Sequence, residues 1–348
     1  MLFVYSIEQF EQWDAIVRSF QNYDTYWLSG YVKAFQIHGD GEPFLIFYED
    51  QETRGINVVM KRDIAKDPHF QNSLPENRYF DFSSPYGYGG WIIEGQKNEP
   101  LFAAYEQWCK NHEIVSEFVR FHPVLKNHVP CEKAYEIVPL GNTVCLDLTS
   151  PDVIWNNISS KNRNMIRKAE KNGVKIYNGR YPEIFETFRA IYNETMDKDS
   201  AEPYYYFESD FYKSICEDLP QNAQVFYAEL DGKIIAASIM LAANGRMNYH
   251  LSGSVREYAT LAPTNLLLYQ AALWGSANGC QTLYLGGGVG SGEDGLYRFK
   301  KSFYRADDLN QFHIGKKIFF PELYDELCSQ RNIEENTSFF PQYRVNGN

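Results

Sequence analysis

No two cysteines of this chain stand in C-x-x-C spacing: Cys109, Cys131, Cys145, Cys216, Cys280 and Cys328 are scattered through 348 residues. A chain this long needs no disulfide framework, so reduced, mostly buried thiols are expected. Long apolar runs are also missing. The longest, Ile234 to Ala243, is about half the ~20 residues a membrane-spanning helix requires, so no span is expected. The start, MLFVYSIEQFEQW, has no basic region, no continuous apolar core and no small-residue cleavage site, and a cytoplasmic protein is expected. The seven histidines show neither H-E-x-x-H nor paired ligand spacing, so no metal is expected. No G-x-S-x-G elbow and no local cysteine-nucleophile signature is present, which leaves covalent catalysis without support. Positive charge is short as well: Lys+Arg number 33 against 45 Asp+Glu, a formal charge of -12. Such a chain repels a polyanion at long range, and any nucleic-acid contact must come from a local basic groove.

What the chain has is core material. Hydrophobic residues make up 44%, with 26 Tyr and 24 Phe, the composition of a folded protein of about two domains. In the first half, PFLIFYEDQETRGINVVMKRD predicts a hairpin, followed by YFDF, a loop SSPYGYGG, an amphipathic helix around Pro100 to Asn111 and the strand VSEFVRF. The second half repeats this order. VFYAELDGKIIAASIML predicts a hairpin turning at Asp231-Gly232, then MNYHLSGS, a helix from about Thr264 to Asn278 ended by Gly279, and QTLYL. Between the halves lie a strand, one helix capped near Ser150 with Pro151 at its start, and a strand after Asn172-Gly173. Further helices are expected near Glu183 to Met196 and Asp210 to Asp218. An α/β (α+β) chain of two domains follows, residues 1–147 with 312–348 and residues 148–311, each a mixed sheet flanked by helices.

Three groups of residues point to chemistry. Arg163, Arg167 and Lys171 recur every four residues on one helix face, with Lys168 beside them; the face is either solvated or meets the phosphates of a ligand. After QTLYL comes the run Gly286 to Gly292, whose glycines let a ligand approach the backbone and aim N–H groups at anionic oxygens. That run lacks both G-K-[ST] and the G-x-G-x-x-G register, so dinucleotide binding is not expected; its alternative is a flexible connection. Just beyond stands Phe299-Lys300-Lys301, where an ammonium can stabilise negative charge on a carbonyl oxygen, or can simply be a helix surface charge. His122 in FVRFHP and His250 in MNYHLSGS are the candidate proton acceptors, with packing histidines as the alternative. Tyr86, Tyr88, Tyr204 and Tyr205 offer an aromatic floor for an acceptor or serve as packing.

The stretches SSKNRNMIRKAEKNGVKI, PTNLLLYQAALWGSANGCQTLYLGG and GLYRFKKSF, together with VRFHP, resemble the Fem-type peptidoglycan-bridge aminoacyltransferases, which have a GNAT-like fold. The resemblance implies two GNAT-like domains, the second inserted before a tail that rejoins the first and carrying the donor site. It implies an enzyme that transfers an aminoacyl group from aminoacyl-tRNA, or an acyl group from acyl-CoA, to an amine of a cell-wall precursor, peptide or amino sugar. The donor is a substrate, and no bound cofactor is implied. Phe299 and Lys300 match the family's pair near the donor site and Tyr206 in PYYYF matches a family tyrosine, while Gly287, Gly288, Arg163, Arg167 and Lys171 are donor-binding candidates on the chemistry of their own loop and helix face. Departures are His122 for an aspartate, Glu202 for a precursor-binding arginine, and Phe35 or Lys33 near a first-domain lysine. REYATLAPTNLLL also lacks the Q/R-x-x-G-x-G/A pyrophosphate loop of acetyl-CoA users. Glu202, Tyr206, Tyr86 and Tyr88 are therefore the acceptor candidates, for an acceptor other than a nucleotide-diphosphate muropeptide. Two alternatives stay open: an acyl-CoA-dependent N-acyltransferase of surface-polysaccharide synthesis, and a non-catalytic binding protein on the same fold.

Overall fold

The computed structural model describes residues 1–71, 73–331 and 339–345. The chain forms two compact units, Met1–Leu140 with Phe312–Asn348, and Gly141–Gln311. In chain order, the first stretch holds β1 (Leu2–Ser6), α1 (Phe10–Ser19), α2 (Ser29–His38), β2 (Glu42–Glu49), β3 (Thr53–Asp63), β4 (Phe80–Ser83), β5 (Ile92–Gly95), α3 (Glu99–Asn111) and β6 (Ile114–Phe121). Next come β7 (Glu136–Asp147), α4 (Pro151–Asn157), α5 (Ser160–Lys171), β8 (Lys175–Gly179), α6 (Pro182–Lys198), α7 (Ser209–Asp218), β9 (Ala223–Leu230), β10 (Lys233–Ala243) and β11 (Arg246–Ser254). The chain ends with α8 (Pro263–Ala277), β12 (Thr282–Gly286), α9 (Gly295–Lys301), β13 (Asn310–Ile318) and α10 (Pro321–Gln330).

The repetition expected from the sequence extends to strand direction. In the first unit β1, β2, β3 and β4 pair antiparallel in turn, β4 then pairs parallel with β6, and β6 pairs antiparallel with β13. In the second unit β8, β9, β10 and β11 do the same, β11 pairs parallel with β12, and β12 pairs antiparallel with β7. The parallel step needs a crossover helix, supplied by α3 in one unit and α8 in the other. Each unit is thus a mixed sheet flanked by helices, the α/β class expected.

Local chemistry sets the connections. Asp231 and Gly232 both adopt positive φ, 51° and 78°, the geometry of a two-residue hairpin turn. Helix α8 is rich in apolar residues and buries Leu266, Leu267, Leu268, Ala271 and Ala272, because the sheet covers one side and α4 and α5 the other. Gly275 keeps it close to the sheet, where a Cβ would come within 2.9 Å of Leu148 and 3.1 Å of Met247.

The region after Ser150 departs from the sequence reading of one helix. Ile158 is extended (φ -71°, ψ 134°), and Ser159 starts a second helix by accepting the Asn162 N–H on its side chain at 3.3 Å. The break separates Pro151 from the basic residues, which therefore have a helix, α5, of their own. Strands β1 and β5 and helix α10 were not expected.

Candidate functional site

Parallel neighbours in a twisted sheet can part at their ends, and each unit has such a point. In the first unit the gap beyond the β4–β6 ladder is filled by the chain's own loop, residues 84–91. Ser84 N–H donates to Phe118 O at 2.9 Å, Gly89 N–H donates to Arg120 O at 2.8 Å, and Arg120 N–H donates to the Ser84 hydroxyl at 3.1 Å. Trp27 Nε1 and Asn127 Nδ2 hold the loop carbonyls of Gly90 and Gly89 at 3.0 and 2.9 Å. Gly87 is required there: its φ is 86° and a Cβ would meet the Tyr26 ring at 2.7 Å. The loop satisfies the backbone groups that a ligand would otherwise meet.

Among the described residues, no backbone hydrogen bond ties the corresponding segment of the second unit, residues 255–262, to β12. The β11–β12 register runs from Arg246↔Thr282 to Asn248↔Tyr284. β11 then bulges, with His250 the extra residue between Tyr249 and Leu251, and follows β10 to Ser254. β12 turns toward β7, where Gly286 pairs Val144. Ala262, at φ 58°, leads the chain into α8.

At the end of β12 stands Lys300. It is only 8% exposed, and its Nζ donates to Gly287 O at 2.7 Å. Among the described residues that is the ammonium's single hydrogen-bond acceptor, although it has three donors. A charge so poorly satisfied in a buried place is costly, and desolvation pulls its pKa down to about 8 against the opposing field of Asp294. Asp294 also builds the loop. As N-cap of α9, its carboxylate accepts Tyr297 N–H at 2.8 Å and Val289 N–H at 3.1 Å. The sequence reading assigned Asp294 no role, though an aspartate three residues before a buried position in a short helix is an N-cap signal. Because asparagine caps as well as aspartate but is neutral, Asp294→Asn is expected to preserve the fold and lower the Lys300 pKa further. The check is an NMR titration of the Lys300 side chain; a midpoint that stays or rises would show that Asp294 exerts no field there.

The other expected site residues fall into separate groups. Phe299 packs against Phe303, ring centroids 5.4 Å apart, and Gly287 and Gly288 form the start of the loop. Arg163 and Arg167 lie over the Trp155 ring at 5.8 and 5.1 Å, and Trp155 packs on Tyr269. Lys171, at the end of α5, is exposed. Desolvation holds the His250 pKa down to about 3, so its imidazole is neutral at physiological pH. Glu202 is exposed beside a short turn, and Tyr206 donates its hydroxyl hydrogen to Asp197 at 2.8 Å.

His122, Tyr86 and Tyr88 belong to the first unit. Tyr86 stacks on Phe35 at 5.4 Å, its carbonyl accepting the Tyr31 hydroxyl, and Tyr88 meets Tyr26 and His122 edge-on or tilted. His122, expected as a proton acceptor, is fully buried. Its Nδ1 accepts Leu125 N–H at 3.3 Å and its Nε2 lies 3.3 Å from Asp24 Oδ2. Nδ1 is engaged by the Leu125 N–H and Nε2 is buried facing Asp24, so the ring is not open to solvent. This burial supports the packing alternative. Among the described residues, no group of three His, Cys, Asp or Glu side chains is placed to hold a metal ion.

Residues 160–301 match the family model described as an acetyltransferase (GNAT) domain. No curated protein matches the chain. Among solved structures, FemX is similar at 14% identity and a TM-score of 0.68, over 94% of this chain and 99% of FemX. The C-terminal domain of a putative lysylphosphatidylglycerol synthetase from Agrobacterium fabrum is similar at 14% identity and a TM-score of 0.55, covering 89% of this chain and 91% of that one. L-PGS from Bacillus licheniformis is similar at 13% identity and 0.56, covering 88% and 91%. These likenesses are likenesses of fold. No helix among the described residues is long and apolar enough to cross a membrane.

Proposed function

We propose that this chain, a GNAT-fold acyltransferase, forms an amide by direct attack of an acceptor amine on the carbonyl of an aminoacyl or acyl donor held by residues 148–311. The observation that carries this reading is Lys300, a buried ammonium whose single acceptor among the described residues is the Gly287 carbonyl just after β12. A donor carbonyl supplies the missing acceptor, and the oxygen's charge grows as the reaction proceeds, so the ammonium interacts most strongly with the transition state. The acceptor nitrogen bonds to the carbonyl carbon, and the oxyanion collapses with cleavage of the donor's C–O or C–S bond. The amine's proton leaves to water or to the departing oxygen or sulfur. A neutral His250 orients a group by hydrogen bonding; an imidazole of so low a pKa is a poor store for that proton.

The donor is aminoacyl-tRNA, and the acceptor is an amino group of a cell-wall precursor, peptide or amino sugar in the cytoplasm. Glu202 and Tyr206 meet the acceptor on the second unit, where an exposed carboxylate disfavours a diphosphate. The resemblance of SSKNRNMIRKAEKNGVKI and GLYRFKKSF to the Fem-type aminoacyltransferases supports the tRNA-borne donor. The second reading, acyl-CoA, is favoured by the match of residues 160–301 to an acetyltransferase domain.

Salt dependence separates the two. If Arg163 and Arg167 contact tRNA phosphates, donor affinity falls steeply with salt, and the double alanine variant flattens the log–log slope by roughly 1.4, the release of two single-strand contacts. Turnover on charged tRNAs with that change in slope supports the first reading. Turnover on acyl-CoAs with salt-insensitive affinity selects the second, and ligand binding without turnover on either panel would leave a binding protein.

A further inference from the structure

A recess outside the donor site lies wholly in the first unit. It is a cleft of about 480 Å³ between the end of α2, the start of β2, the end of β3 and the segment leading to β4. Lys61, Arg62, Lys66 and Arg344 line it, with Phe80 as an apolar wall. So dense a set of cations stands out in a chain with a formal charge of -12.

The carboxylates of the same place are as numerous, yet nearly all are spent on internal bonds. Asp81, fully buried, accepts Arg62 Nε at 2.7 Å and also holds Arg344 Nε and the Tyr343 hydroxyl. Asp67 accepts Arg344 Nη1 at 3.0 Å and the ring of His69 at 2.7 Å. Asp63 accepts the backbone N–H of Ala65 at 3.0 Å and that of Asn77 at 2.8 Å. These acids act as struts: Arg344 is taken up by Asp81, Asp67 and, at 3.5 Å, the Asp63 carbonyl, whereas Arg62 is fixed through one nitrogen alone. The terminal nitrogens of Arg62 make no hydrogen bond among the described residues, since Asp81 takes only Nε.

Lys61 and Lys66 form no ion pair among the described residues. Lys61 is half-buried, its Nζ 3.7 Å from the centre of the Phe80 ring, and desolvation lowers its pKa. A ring face compensates an ammonium only in part. Glu42, across the β2–β3 register from Lys61, is the one lining carboxylate without a bond among the described residues; it is exposed, and its field and that of Asp63 oppose the desolvation of Lys61 without cancelling it.

We infer that this cleft binds a small molecule through a phosphate group, taken by Lys61, Lys66 and the free fork of Arg62, with the molecule's apolar part against Phe80. The volume is that of a small-molecule site. A pre-fixed guanidinium and two ammonium groups match the several acceptor oxygens and double charge of a phosphate monoester better than they match a carboxylate. The site stands apart from Lys300 and from the donor reading, in a different compact unit.

The probe is phenyl phosphate, titrated calorimetrically into the full chain, with benzoate and inorganic phosphate as comparisons. Saturable binding is expected, weaker for inorganic phosphate, which lacks the ring, and weakest for benzoate. Lys61→Gln with Lys66→Gln should lower affinity about 10- to 100-fold for each ammonium removed. Lys66→Gln alone, at an exposed position that cannot affect folding, should weaken it measurably, and Glu42→Gln should tighten it. Absence of saturable binding by phenyl phosphate overturns the inference. So does unchanged affinity in the folded double variant, benzoate binding as tightly, or binding lost instead in the Arg163/Arg167 double alanine variant.

Discussion

Lys300→Ala is expected to lower turnover about 10²–10³-fold, the usual cost of removing one preorganised donor to an oxyanion. The fold should survive, because the lost hydrogen bond to Gly287 is offset by relief of a buried, poorly satisfied charge. The pH dependence gives a sharper test. Burial disfavours the charged form, so the folded-state pKa lies at about 8, below the ordinary lysine value of 10.5. The ammonium is present below about pH 8 and is lost above it, and wild-type kcat should fall on that limb. In the alanine variant the limb should be absent. Stability should move the other way: between pH 8 and 10.5 the unfolded chain binds more protons at this residue than the folded one. Unfolding free energy therefore rises with pH across that window in wild type relative to Lys300→Ala. Turnover within a few-fold of wild type, or the same alkaline limb in the variant, would remove Lys300 from the chemistry.

Periodicity and turn chemistry made much of this architecture legible. Apolar alternation and Asp231-Gly232 located the second hairpin, and the order of elements disclosed the repeat, because both are local properties of the chain. What stayed hidden depended on partners far apart in sequence. That β7 completes the second unit's sheet while β13, after that unit, completes the first is a matter of pairing, which no window of residues encodes. SSPYGYGG read as a permissive loop. Its role in filling the gap between β4 and β6 rests on bonds to Phe118 and Arg120, more than thirty residues on. The same holds for the cleft at Lys61, whose strut Asp81 is held by Arg344 across 263 positions. His122 read as a proton acceptor or a packing histidine, and only its neighbours Leu125 and Asp24 show what its ring nitrogens face. The Ser159 restart was within reach, since a serine three residues before Asn162 is a cap signal, yet Pro151 offered an equally good start upstream.

Gly288→Ala should reduce turnover by about 10², close to the effect of shifting a catalytic group by an ångström. The cause is space, since Gly288 has an ordinary φ of -85°. A Cβ at that position would overlap the Gly292 carbonyl oxygen and Asp294 Oδ1, the carboxylate oxygen that receives Tyr297 N–H and caps α9. The loop and the cap cannot both stay in place, and α9 carries Lys300. Gly292→Ala provides the contrast within the same loop. Its φ is -83° and a Cβ there would lie 3.6 Å from Val289 O, ordinary contact, so turnover should remain within a few-fold of wild type. Both variants should show wild-type unfolding of the rest of the chain, because the loop is peripheral to the apolar core around α8. If the two alanines are equally damaging, loop flexibility matters rather than the fit of Gly288 against Asp294. If Gly288→Ala keeps full activity, the loop does not position Lys300 at all.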